Sequence, residues 1–201
     1  MTIIEKRLLA ATHNPDKLRE IQQILDGSGW EAVGLDRFSP YSDPPEDGLT
    51  LLDNALSKAR EGFRRTGLIS LADDTGLEVD ALDGRPGVRS ARYAGENASY
   101  QDNVSLLLRE LDGVPPAGRT ARFRCVMALV GQGVERWWKG TAEGVILTEP
   151  RGASGFGYDP VFWSPELGMT FAEASPAEKN RVSHRGRALR GLIKVLAELK
   201  A

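Results

Sequence analysis

The chain has 201 residues, 41% of them hydrophobic, enough for one packed domain and too few for several independent cores. Its 26 lysines and arginines against 28 acids leave a net charge of −2, with both signs mixed along the whole length. That balance excludes a broad positive field able to hold a nucleic acid by counterion release, so any anion site must be local.

In chain order, Glu5, Lys6 and Arg7 precede a short apolar run too brief for a signal segment, and Arg7 to Ala11 reads as a first strand. No later stretch approaches the roughly 18 apolar residues of a membrane span, and the cytoplasm is the expected location. Thr12-His13-Asn14-Pro15 then opens a helix, with Asn14 as cap, Pro15 in the first turn, and Leu18, Ile21 and Leu25 on one face. An acidic, proline-rich loop from Pro40 to Gly48 leads to a second helix. Thr50 and Asp53 form its capping box, and Leu52, Ala55, Leu56, Ala59 and Phe63 its inward stripe. Leu68 to Ala72 reads as a buried strand expected to end abruptly at Asp73-Asp74-Thr75-Gly76. A third helix spans about Ser99 to Leu111, and Thr120 to Val130 with Val134 to Leu147 form a hairpin around Gly131-Gln132-Gly133. The lone cysteine, Cys125, lies in that alternating stretch and reads as a buried strand thiol; it cannot form an internal disulfide. Ser175-Pro176-Ala177-Glu178 opens a helical turn, and Ser183 leads a last helix with Leu189, Leu192, Ile193, Leu196 and Leu199 inward. With no repeat and no long linker, the expectation is a single α/β domain over residues 1–201.

The sharpest chemical signal is Asp73-Asp74, because adjacent carboxylates repel unless a cation or a proton resolves the conflict; a turn that favours Asp, Thr and Gly is the plain alternative. Thr12, Asn14 and Lys17 place hydroxyl, amide and ammonium groups at a helix start whose backbone N–H groups favour anions. Neither a P-loop nor a Gly-x-Gly-x-x-Gly fingerprint is present. Asn54 and Lys58, four apart on the second helix, face a cleft bordered by Glu46 or, more commonly for such pairs, solvent. Ser154-Gly155-Phe156-Gly157-Tyr158-Asp159-Pro160 combines glycines, aromatic rings and a carboxylate, as suits a loop that stacks on a flat base, or one pinned to the core. Lys179-Asn180 and Ser183-His184-Arg185 add cations near helix starts, where an exposed position is the ordinary reading. No zinc spacing and no Gly-x-Ser-x-Gly elbow occurs, which leaves metal-assisted phosphoryl chemistry as the best-supported class.

Taken in order, Thr12-His13-Asn14-Pro15-Asp16-Lys17, Glu46-Asp47-Gly48 with Asp53-Asn54-Ala55, Ala72 to Leu82, Gly155-Phe156-Gly157-Tyr158-Asp159-Pro160-Val161-Phe162, and Glu178-Lys179-Asn180 with Ser183-His184-Arg185 closely resemble the non-canonical purine nucleoside triphosphate pyrophosphatase family, also called inosine and xanthosine triphosphatases. The resemblance implies a homodimer of two-lobed α/β subunits, each with a long mixed central sheet flanked by helices and an active-site cleft between the lobes. It implies hydrolysis of dITP, ITP or XTP to the monophosphate and pyrophosphate with magnesium. Carried over by motif, the substrate is met by Thr12, His13, Asn14, Pro15, Asp16, Lys17 and Lys58, with Thr12, Asn14, Lys17 and Lys58 on the triphosphate. Glu46 and Asp74 take the magnesium, and Asp74 is the base for the attacking water. Thr75 contacts substrate, Phe156, Gly157, Tyr158 and Asp159 hold the nucleoside, and Lys179, His184 and Arg185 close over it. Thr75 stands where the family commonly has serine, and Asp53 where it commonly has glutamate. Two rivals are a Maf-like pyrophosphatase, whose serine-rich, doubly basic N-terminal signature this chain lacks, and a nucleotide-binding regulator without catalysis.

Overall fold

Side-chain caps fix where the first four helices begin. Asn14 Oδ1 accepts the backbone N–H groups of Asp16 and Lys17 and starts α1 (Pro15–Leu25), with Pro15 in its first turn. Reciprocal capping boxes open the next three: Thr50 with Asp53 for α2 (Leu51–Thr66), Ser99 with Asp102 for α3 (Tyr100–Glu110), and Ser175 with Glu178 for α4 (Pro176–Val182). The serine hydroxyls hold the Asp102 and Glu178 carboxyls below their ordinary values. Ser183 then turns the chain into α5 (His184–Glu198). The computed structural model describes residues 6–38, 44 and 48–198.

The strands are β1 (Arg7–Ala10), β2 (Glu31–Gly34), β3 (Ser70–Val79), β4 (Pro86–Gly87), β5 (Thr120–Gly131), β6 (Val134–Ile146), β7 (Phe162–Ser164) and β8 (Met169–Thr170). They form one sheet in the order β2-β1-β3-β5-β6-β7-β8, with β4 paired to β3. β1 is parallel to β2, with Leu9 opposite Val33, and parallel to β3, with Ala10 opposite Leu71. β3–β4, β6–β7 and β7–β8 are antiparallel. A mixed central sheet flanked by helices is therefore the architecture, as expected of the α/β class.

The chain's contacts group into two units: residues 1–74, 126–139 and 188–201, and residues 75–125 and 140–187. In the first, Leu9, Ala11, Ala55, Ala59, Ala72 and Ala128 form the buried core, with Leu52, Leu56 and Phe63 packed against it. The preponderance of alanine lets α2 lie close on the strands. In the second, Leu77, Val79, Leu107, Leu111, Phe123, Phe162 and Phe171 form an aromatic-rich core.

One strand differs from its expectation. β3 does not stop before Asp73 but runs through Asp73-Asp74-Thr75-Gly76 to Val79. The two carboxylates are each met by a lysine where they stand, so no turn is needed to bring them to water. Downstream, Leu77 and Val79 are fully buried and sustain the two-residue alternation past the acids.

Candidate active site

Within the first unit, the neighbouring acids of β3 project to opposite sides of the strand and meet different helices. Lys17 Nζ of α1 lies 3.1 Å from Asp73, whose side chain is wholly buried. Asp74 accepts from Lys58 Nζ of α2 at 3.0 Å on Oδ1 and from Asn54 Nδ2 at 3.1 Å on Oδ2. Asn54 Oδ1 in turn accepts the Gly48 N–H at 2.9 Å, which ties the end of the acidic loop to this cluster. Asn54, Lys58, Asp73 and Asp74 are all buried. Asn54 and Lys58 are therefore not the exposed pair that spacing alone favours. One turn of α2 turns its polar residues inward because a buried carboxylate needs donors and counter-charge there.

The start of α1 is more self-contained than its sequence suggests. Asn14 N–H donates to Thr12 Oγ1 at 3.1 Å, and Asn14 Oδ1 accepts from Asp16 N–H at 2.9 Å and Lys17 N–H at 3.2 Å. Leu18 N–H bonds the Asn14 carbonyl at 3.1 Å, and Pro15 has no N–H. The expected open backbone donors of Asp16 and Lys17 are thus already used by the Asn14 side chain, so the anion site expected here would have to rely on side chains. Asp16 pairs with Arg19 at 2.8 Å rather than with the acid cluster, and His13 and Pro15 are exposed. Glu46 lies outside the described residues.

The second unit holds a separate polar cluster. Gly155 sits at φ +74°, and a Cβ there would lie 2.2 Å from Asp159 Oδ2, so only glycine lets the loop fold over Asp159. Asp159 Oδ2 accepts from the Phe156 N–H at 2.8 Å and from Lys179 Nζ at 2.6 Å. The Lys179 ammonium stands 4.7 Å from the centre of the half-buried Phe156 ring, and the Arg185 guanidinium 5.6 Å from it. Arg185 Nη2 also donates to Thr75 Oγ1 at 3.2 Å. Gly157, at φ +61°, completes the bend of the loop.

Asp159, Lys179, His184 and Arg185 are buried, so the exposed reading of the two cationic motifs is replaced. The His184 ring stacks on Phe123 at 4.6 Å, and Arg185 is among the largest fully buried side chains. Tyr158 turns into the aromatic core and donates its hydroxyl to the Ser90 carbonyl at 2.9 Å; burial pushes its pKa up. Phe156, not Tyr158, is the ring the loop presents. Asp159 braces that loop and Lys179.

Sequence reasoning passed over Ser90, whose hydroxyl accepts the Leu77 N–H at 2.8 Å and donates to the Gly87 carbonyl at 2.6 Å. Nothing in a lone serine of an irregular segment signals that role.

Against known proteins, the Ham1 family model matches residues 8–195. The chain belongs to the Ham1 family. A protein of Geobacter sulfurreducens named dITP/XTP pyrophosphatase is 54% identical over 184 residues, covering 91% of this chain and 92% of that one. A Desulforamulus reducens protein of the same name is 46% identical over 194 residues, with 96% of each chain covered. Among solved structures, the Coxiella burnetii HAM1 protein superposes with a TM-score of 0.85 at 42% identity, over 96% of this chain and 98% of that one. The Staphylococcus aureus Ham1 protein gives 0.85 at 36% identity, over 97% and 100%. The family resemblance carried by the five motifs and the mixed-sheet architecture are both those of Ham1 proteins.

Proposed function

We propose that this Ham1 protein hydrolyses dITP, ITP and XTP to the nucleoside monophosphate and pyrophosphate, removing deaminated purines from the nucleotide pool. The observation that carries the reading is the buried Asp74 carboxylate held by Lys58 and Asn54, in a chain 54% identical to a protein named dITP/XTP pyrophosphatase. A triphosphate brings about four negative charges, and a nucleophile cannot approach phosphorus until those oxygens are neutralised. Lys17 and Lys58 serve that need. An ammonium has three N–H donors, so the bond from Lys17 to Asp73 does not exhaust it.

Magnesium is taken as the cofactor from the family resemblance. Among the described residues no group of three or more His, Cys, Asp or Glu forms a metal cluster. The donor chemistry nevertheless fits, since magnesium binds through one or two carboxylates together with phosphate oxygens and water; Asp74 is one such carboxylate, and the family resemblance implies Glu46 as the other. When bound, the ion neutralises phosphate oxygens and acidifies water. Asp74, aimed by Lys58 and Asn54, takes the proton of the attacking water. The new bond forms at the α-phosphorus, the α–β anhydride bond breaks, and pyrophosphate leaves with the electron pair.

On the nucleoside side, Phe156 offers a half-buried face and Lys179 and Arg185 offer N–H donors. Hypoxanthine and xanthine carry an acceptor at position 6 that these donors can meet; adenine carries a donor there, which would face donors and leave its own N–H group without an acceptor. Such a mismatch supports discrimination of roughly 10⁴-fold. The homodimer belongs to the same reading on the family resemblance alone, and the cytoplasmic location because the substrates arise in the cytoplasmic nucleotide pool.

Steady-state turnover of dITP, XTP, dGTP, dATP, dTTP and UTP with magnesium tests it. The expected result is fastest release from dITP and XTP, with pyrophosphate and not orthophosphate as product. Turnover of dTTP or UTP equal to that of dITP would place the specificity with the Maf-like group, and tight binding without pyrophosphate release would make the protein a regulator.

A further inference from the structure

Among the large apolar side chains described, Tyr100 is one of three that remain exposed, at 44%. It occupies the first residue of α3, a position where capping does not ask for an aromatic ring. That position is held firmly. Ser99 and Asp102 close the capping box with Ser99 Oγ to Asp102 Oδ2 at 2.7 Å and Asp102 N–H to Ser99 Oγ at 3.2 Å. Behind it, buried Asn103 accepts the Ala94 N–H at 2.8 Å and donates to the Ala91 carbonyl at 3.0 Å. A ring on so fixed a turn loses little further freedom when it contacts a ligand.

The Tyr100 ring centre lies 5.9 Å from that of Phe156, with the planes inclined at 40°. Parallel rings need about 7 Å to admit a planar base, twice the ~3.5 Å contact distance of carbon atoms, so no base enters between these two. The pair instead makes a bent apolar surface, with the Lys179 and Arg185 cations close to the centre of the Phe156 ring. We propose that Tyr100 is a further substrate-positioning residue, an aromatic wall that borders the edge of a purine resting on Phe156; this rests on the reading of Phe156 as the base platform.

The test pairs Tyr100→Ala with Phe156→Ala and Tyr100→Phe, measuring KM and kcat for dITP, the melting temperature, and inhibition by inorganic tripolyphosphate, which has no base. Tyr100→Ala is expected to raise KM by about three- to tenfold, the scale of one edge-to-face aromatic contact, with kcat within twofold. Its melting temperature and tripolyphosphate inhibition should match the unaltered protein, and Tyr100→Phe should recover most of the lost affinity. If Phe156→Ala raises KM while Tyr100→Ala leaves it unchanged, the wall does not exist and the platform stands. If neither variant changes KM, the platform reading fails and takes the wall with it. Weakened tripolyphosphate inhibition or a melting temperature several degrees lower in Tyr100→Ala would assign its effect to structure and overturn the proposal.

Discussion

Two lysines from two helices meet two adjacent aspartates, Lys17 on Asp73 and Lys58 on Asp74; the second pair is nearly shut off from water, and in the first Asp73 is wholly buried while Lys17 is half-buried. Removing one member of a buried pair strands the other, at a cost of about 3–5 kcal/mol. Lys17→Met should therefore lower stability in urea titration by roughly that amount, and adding Asp73→Asn should return a large part of it. A second residue-scale prediction concerns Tyr93, whose hydroxyl donates to Glu110. Burial first, and that hydrogen bond second, push its pKa up to about 12. The folded protein keeps this proton to higher pH than the unfolded chain does, near pH 10, so the contribution is complete below about pH 10 and is lost as pH climbs toward 12. Melting temperatures measured across that window should fall, and Tyr93→Phe should flatten the fall.

The elements were legible where the chain announces its own boundaries. Capping residues at Asn14, Thr50, Ser99 and Ser175 marked four helix starts correctly, since their partners are local and set by spacing. β3 was misjudged because Asp-Asp-Thr-Gly is turn chemistry when read alone, and its strand conformation depends on lysines 16 and 56 residues earlier in the chain. The same distance hid the inward orientation of Asn54, Lys58 and Arg185; periodicity finds apolar faces, not buried polar ones. Of the residues read as the inward face of α5, Leu189, Leu192 and Leu196 are buried, Ile193 is half-buried, and Leu199 lies outside the described residues. The corner between α4 and α5 gives an element-scale prediction. A Cβ on Gly186 would lie 1.8 Å from the Asn180 carbonyl oxygen, a backbone atom that cannot step aside. Gly186→Ala should cost about 3 kcal/mol or more in denaturant unfolding and, by shifting neighbouring Arg185, weaken dITP turnover as well.

For the whole molecule, β3, β5, β6 and α5 each contribute residues to both units, so neither unit is a continuous segment of chain. We therefore propose that the chain folds as one domain, with a single cooperative transition by calorimetry and by circular dichroism. Sedimentation at working concentration should return the mass of a dimer, and a monomer alone would remove that part of the proposal. The family and the α/β sheet follow from motifs spread over nearly the entire chain. The proposed chemistry turns on a single carboxylate, that of Asp74. The most direct measurement is pyrophosphate release from dITP by Asp74→Asn, in protein whose circular dichroism at the assay temperature matches the unaltered chain. Loss of turnover by about 10²- to 10⁴-fold is the expected result for removal of a general base, and a folded Asp74→Asn protein that still releases pyrophosphate within severalfold of the original rate would contradict it.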